Sequence, residues 1–305
     1  MADIAGLEAY ASVQQDGRNT WQSVAAQLGR QLSATPSHLS RALYVPRHDS
    51  SMSHLPLYDI STRYADAVGD LPIGSSKYAV KLGLMQRPRG DGGDDILVLC
   101  NAHISPVGDS DTVKGSVQYR GQPTEPCPEV GLSIGTSDDN VCCVTIPDPA
   151  GSGTSLQFAM TCSFPISPSV TREGTFTHPY FTFRLPGEAG GADFQWQIHP
   201  VEHGPLRYTL VQMPPEGQTT NDPEIQAIYH HIGLGASLSQ SHSEGVLLLP
   251  SAMSPETCVI VVATALAMLS RLRGLNKDQK GHKMAKESKH SRLASIKNLV
   301  KGKRT

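Results

Sequence analysis

The sequence predicts a mainly β protein in which an antiparallel β-barrel wraps around a C-terminal hydrophobic helix. Three observations lead there. Residues 254–273, SPETCVIVVATALAMLSRLR, hold no polar side chain between Cys258 and Leu269 except Thr264, so no face of this segment suits water. Ahead of it lie ten segments rich in β-branched, aromatic or alternating apolar residues, divided by Pro- and Gly-rich breaks. The apolar segment comes after the strands, and a sheet closing round it satisfies both patterns at once.

The last segment reads as a helix. Ser254 is a cap residue, Pro255 suits the first helical position, and Glu256 places a carboxylate at the positive end of the dipole. Val259, Ile260, Val261 and Val262 favour a strand. Length decides against it, because strands rarely exceed about ten residues, and Ala263, Ala265, Leu266, Ala267 and Met268 are good helix formers. The strictly apolar stretch is shorter than the ~20 residues of a bilayer span, so the segment is expected to be the core helix of a soluble domain.

Residues 1–70 are expected to be a partly disordered N-terminal arm. Within it residues 20–32 carry Trp21, Val24, Leu28 and Leu32 on one helical face, with Asn19 or Thr20 as cap, and residues 33–53 have linker composition. The barrel is expected over 71–274, with candidate strands at 77–86, 95–103, 113–120, 141–146, 155–163, 175–185, 192–199, 206–213, 225–232 and 245–249. Two are the clearest. Phe181, Phe183 and Leu185 alternate with Thr182 and Arg184, and Phe194, Trp196 and Ile198 alternate with Gln195 and Gln197.

Composition bounds the rest. The net charge of −2 conceals an uneven distribution: residues 271–305 hold twelve Lys and Arg against two acids (+10), and the remaining fourteen bases and twenty-six acids give −12. A basic tail, 275–305, on an acidic body implies an anionic partner or a contact between the two. No basic start precedes an apolar run at the N-terminus, so a cytoplasmic location is expected. The cysteines at 100, 127, 142, 143, 162 and 258 lack CxxC or zinc spacing and are expected to be free thiols, Cys258 serving as a small core residue.

The segments FTFRLPGEAGGADFQWQI (181–198) and IQAIYHHIGLGASLSQSHSEGVLLLPSAMSPETCVIVVATALAMLSRLRG (225–274) resemble the mid-barrel strand pair and the closing strands plus threading helix of the tubby C-terminal-like superfamily, which includes fungal tubby-like proteins, LURP-one-related proteins and phospholipid scramblases. The resemblance covers residues 71–274. It implies a twelve-stranded barrel around a central helix, and phosphoinositide or other lipid binding of the kind some members show. No KxxR-like basic pair on a strand and no acidic calcium segment carries over, so the resemblance implies the fold rather than a site.

Motifs for chemistry are sparse. Gly131-Leu132-Ser133-Ile134-Gly135 matches the GxSxG of a nucleophile elbow, which needs a strand before it and a helix after it; a serine hydrolase using Ser133 is therefore one alternative. Histidines 178, 199, 203, 230 and 231 lack metal spacing, and adjacent His230 and His231 face opposite sides of a strand. Asp91, Asp94 and Asp95 lack the ligand spacing of an EF-hand. No nucleotide fingerprint occurs, and no cofactor or metal is expected.

The tail is the leading functional candidate. Lys283, Lys286, Lys289 and Arg292 recur every third residue, followed by Lys297, Lys301, Lys303 and Arg304, with Leu293, Ile296, Leu299 and Val300 behind them. On a helix this places an apolar edge beside a basic face, as in segments that lie on membranes. Ser291 and Ser295 sit in that basic setting as phosphorylation sites. The expected function is a non-enzymatic binding module for lipid, a membrane surface or a protein, with the tail as anionic-surface anchor. A nucleic-acid-binding or nuclear protein using the same tail, and a plain solubilising extension, are the alternatives.

Overall fold

A computed structural model of the chain describes residues 35–49, 51–73, 75–88, 97–106, 113–120, 128–135, 140–147, 155–164, 169–171, 174–176, 179–186, 191–199, 207–214, 224–232 and 242–274. Its strands are β1 (Arg41–His48), β2 (His54–Asp59), β3 (Val98–Pro106), β4 (Val113–Tyr119), β5 (Glu129–Ile134), β6 (Asn140–Ile146), β7 (Leu156–Ser163), β8 (Ser169–Thr171), β9 (Gly174–Phe176), β10 (Tyr180–Leu185), β11 (Ala192–His199), β12 (Arg207–Gln212), β13 (Ile225–His231) and β14 (Ser243–Leu249). The helices are α1 (Ser61–Val68), α2 (Ser76–Leu84) and α3 (Pro255–Gly274).

Twelve of the strands close into a barrel in the order β1-β14-β13-β12-β11-β10-β7-β6-β5-β4-β3-β2, while β8 and β9 pair separately. Every pairing is antiparallel, and β1 against β14 joins the first and last strands. Closure removes the exposed edges that would invite aggregation.

The barrel wraps α3. Ser254 caps the helix, its Oγ accepting from Thr257 N at 3.2 Å. Every residue from Cys258 to Leu269 is buried, packed with Leu43, Val117, Phe181, Leu210 and Leu247 of the strands. By length and composition α3 is apolar enough to cross a bilayer, but 72% of its most apolar window is buried inside the protein. The partners its side chains need are the inward faces of the barrel.

A second core lies outside the barrel. Ala42, Tyr44, Tyr58, Ile228, Val246 and Leu248 face away from α3 and are covered by Tyr64 and Val68 of α1 and Tyr78 and Leu82 of α2. The strands β1, β13 and β14 are thus buried on both faces.

Four expectations are corrected. The segment 77–86 is not a strand, most of it lying in helix α2: Ser75 Oγ accepts from Tyr78 N at 3.2 Å as its cap, and buried Tyr78, Ala79 and Leu82 follow helical spacing. Residues 33–53 are not simply a linker, because β1 completes the barrel; its Leu43 and Val45 join the inner core and Ala42 and Tyr44 the outer one, which erases the alternation that marks a half-buried strand. The barrel body therefore includes residues ahead of 71, with β1, β2 and α1 part of it. Residues 175–185 are split between β9 and β10. The amphipathic helix at 20–32 lies outside the described residues.

Candidate functional site

Where α3 ends, the barrel presents a polar pole inside an otherwise apolar lumen. Three strand ends build it: His48 of β1 pairs with Ser243 of β14, and His231 of β13 pairs with Gly245 of β14. A register shift between Val45 and His48 re-aims the end of β1. Arg273, in the last turn of α3, reaches into this group.

Arg273 is 9% exposed. Its Nη1 donates to Ser243 Oγ at 2.7 Å and to His48 Nε2 at 3.3 Å. His48 donates from Nδ1 to Pro46 O at 2.9 Å, so its Nε2 carries the lone pair that Arg273 meets. Burial and the neighbouring guanidinium hold His48 down to about 4. His231 lies 3.1 Å by its Nε2 from Tyr208 Oη and 3.4 Å by its Nδ1 from Tyr229 Oη, edge-on to both rings. Burial is the main cause that lowers it, again to about 4.

The neighbouring carboxylates make no ion pair with Arg273, although the charge of Asp49 acts on it. Asp49 Oδ1 accepts from Ser51 N at 2.8 Å and Ser51 Oγ at 2.6 Å. Glu244 accepts from Tyr44 Oη at 2.9 Å and pairs with Arg87. Among the described residues Arg273 has no carboxylate partner, and its buried Nε has no hydrogen bond.

On the outer face of the same strand, His230 Nε2 lies 2.6 Å from Tyr78 Oη, which lies 2.6 Å from Tyr64 Oη. This chain ties α1 and α2 to β13. Burial lowers His230 to about 3. The two adjacent histidines do face opposite sides, but both are buried, because helices cover the outside of β13.

At the opposite pole Cys100 of β3 and Cys258 in the first turn of α3 are fully buried beside one another, their thiols hydrogen-bonded, which raises the Cys100 thiol well above its usual value. The described cysteines are free.

Ser133 sits inside β5, paired with Lys114 on one side and Cys143 on the other. A ladder position is not the strained strand-to-helix turn that an elbow requires. Among the described residues no cluster of three metal-ligating side chains occurs. Lys283, Lys286, Lys289, Arg292, Lys297, Lys301, Lys303 and Arg304, with Ser291 and Ser295, lie outside the described residues, as do Asp91, Asp94, Asp95, His178 and His203.

Arg273 is what sequence reasoning missed. Its only signal is a cation within the same helix as the wholly apolar run, which reads equally as a charge favouring the helix C-terminus. His48 and Ser243 carry no local signal, since only barrel closure brings residues 225 and 30 positions away in sequence to Arg273. Compared with family models, curated proteins and solved structures, the chain has no match.

Proposed function

We propose that this chain is a non-enzymatic, tubby-like binding module that docks on anionic membrane surfaces through its basic tail, from the cytoplasmic side. The observation that carries this reading is the position of α3. It fills the lumen, so ligands are met at the poles and the outer surface, and its last described residue, Gly274, is next in sequence to Arg273 and to the basic segment 275–305.

Two features support a binding role over catalysis. His48 and His231, at about 4, lie far from the pKa near the working pH that general acid–base catalysis needs. Ser133 lacks the geometry of an activated nucleophile. The likeness to tubby-like barrels rests on residues 181–198 and 225–274, and lipid binding is the part of that likeness the tail chemistry favours. Near an anionic leaflet each basic residue adds about 1 kcal/mol.

The test is flotation of the full chain with neutral and anionic vesicles. Wild type binds the anionic ones, binding fades with added salt, and Ser291→Asp with Ser295→Asp weakens it, because each aspartate brings a negative charge in place of the larger one, roughly −1.5 to −2, of a phosphate. Binding in no variant identifies a solubilising tail. Preference for duplex DNA over vesicles at matched salt identifies the nucleic-acid alternative.

A further inference from the structure

We propose that His54 of β2 and His103 of β3 form a two-imidazole site for one divalent transition-metal ion of the zinc class, on the outer wall of the barrel. The inference rests on the barrel and is independent of the tail.

The strand period sets the pair up. Leu55 and Leu57 of β2 and Cys100 and Ala102 of β3 belong to the inner core, so the alternate positions turn His54 and His103 outward, where both are exposed. The two stand directly opposite one another in the register of β2 and β3. Beside them Ile104 N donates to Ser53 O at 2.9 Å. That bond flanks a non-hydrogen-bonded pair, the position where side chains across an antiparallel ladder come closest. The ring centroids lie 4.7 Å apart, and His54 Nδ1 is 3.4 Å from His103 Nδ1.

The nitrogen spacing favours a shared ion over a direct bond. A hydrogen bond from one ring to the other would bring the nitrogens to about 3 Å. Two nitrogens bound to one tetrahedral ion, each about 2.0–2.1 Å from it, stand about 3.3–3.4 Å apart. The pair therefore already holds the spacing of adjacent ligands. Ions in solvent reach it because both side chains are exposed, and the rings can turn about their soft terminal torsions to aim both lone pairs at one point. On its other side His103 faces Ser116 of β4, a small uncharged partner. Imidazole nitrogen selects zinc, cobalt, nickel or copper over magnesium and calcium, which take oxygen ligands. Two protein ligands leave the other positions to water, fewer than the three of a catalytic zinc site or the four of a structural one. The site thus holds an exchangeable ion that clips β2 to β3.

The experiment titrates the full chain with Zn²⁺, following heat of binding and histidine ring signals by NMR. The His54 and His103 signals are expected to move together and saturate, while that of buried His230 stays in place. His54→Gln and His103→Gln, both at exposed positions, are each expected to weaken Zn²⁺ binding at this pair about tenfold or more. His38→Gln, another exposed histidine, leaves it unchanged, and Mg²⁺ at equal concentration does not compete. Signals of His54 and His103 that stay put in excess Zn²⁺ overturn the proposal in wild type, whether or not the variants fold. So does a His103 signal that responds equally in folded His54→Gln, which would make each histidine a separate single ligand. Displacement of Zn²⁺ by equimolar Mg²⁺ overturns it as well.

Discussion

Trp196 Nε1 of β11 donates a hydrogen bond of 3.1 Å to Thr264 Oγ1 of α3, joining the largest buried side chain of the barrel wall to the lone polar side chain of the helix core. Thr264 Oγ1 in turn donates to Val261 O at 3.1 Å. A threonine inside an apolar helix is thereby fully used, and the bond fixes the rotation of α3 within the barrel.

Thr264→Val keeps the shape and leaves the indole N–H unpaired in a dry core. The expected cost is about 1–3 kcal/mol, measured by chemical denaturation. Adding Trp196→Phe should then cost less than it does in the wild-type background, because the orphan donor is gone. Additive losses would show that the bond contributes nothing.

Leu266 lies among the strands of the inner core. Leu266→Asp buries an unpaired carboxylate and is expected to prevent folding. Soluble protein with a cooperative thermal transition would show that α3 is not the centre of the core.

Gly245 faces the ring of Tyr229 and the carbonyl of His230 so closely that an added Cβ overlaps both. Gly245→Ala must push β14 away from β13 beside His231. A loss of at least about 2 kcal/mol is expected, read as a lower denaturation midpoint. Gly83→Ala, on exposed α2 with open space at its Cβ, is the control and should be neutral or stabilising by up to about 1 kcal/mol.

His48, His231 and His230 are held neutral, at about 4, 4 and 3, against about 6.5 in the unfolded chain. Their folded values are depressed, so below pH 6.5 the unfolded chain binds protons that the folded one refuses. Stability is complete above pH 6.5 and falls as pH drops towards 4, by about 1.4 kcal/mol per pH unit for each histidine. The thermal midpoint should decline steeply from pH 6.5 to 5. Tyr78→Phe leaves burial in place and should preserve most of that decline; a flat profile between pH 6.5 and 5 would contradict the neutral histidines.

The strand at 192–199 was legible almost residue by residue, because apolar Phe194, Trp196 and Ile198 alternate with polar Gln195 and Gln197. Strand β1 was not, since Ala42, Leu43, Tyr44 and Val45 are all buried between two cores and no alternation survives. Helix α2 was misread as a strand for a related reason. Val80 and Leu84 are exposed, which blurs the helical stripe, and the capping role of Ser75 shows only once the turn forms. The GxSxG at 131–135 matched a nucleophile elbow by its glycines and serine, yet Val130, Leu132 and Ile134 alternate into the barrel.

By itself the sequence determined that the chain builds an antiparallel barrel round one apolar helix, because a helix with no wet face and a set of alternating strands each supply the surface the other must bury. It also determined that a strongly basic segment follows that helix. Only the tertiary structure decided where the barrel begins, that two short helices seal its outside, and that His48, Ser243 and Arg273 meet. Those facts depend on the closing pair of β1 with β14, a contact between residues some two hundred positions apart, and no local period records a partner that distant. The polarity of each side chain is written in the chain, but whether a buried cation has a counter-charge is settled only where the strands end.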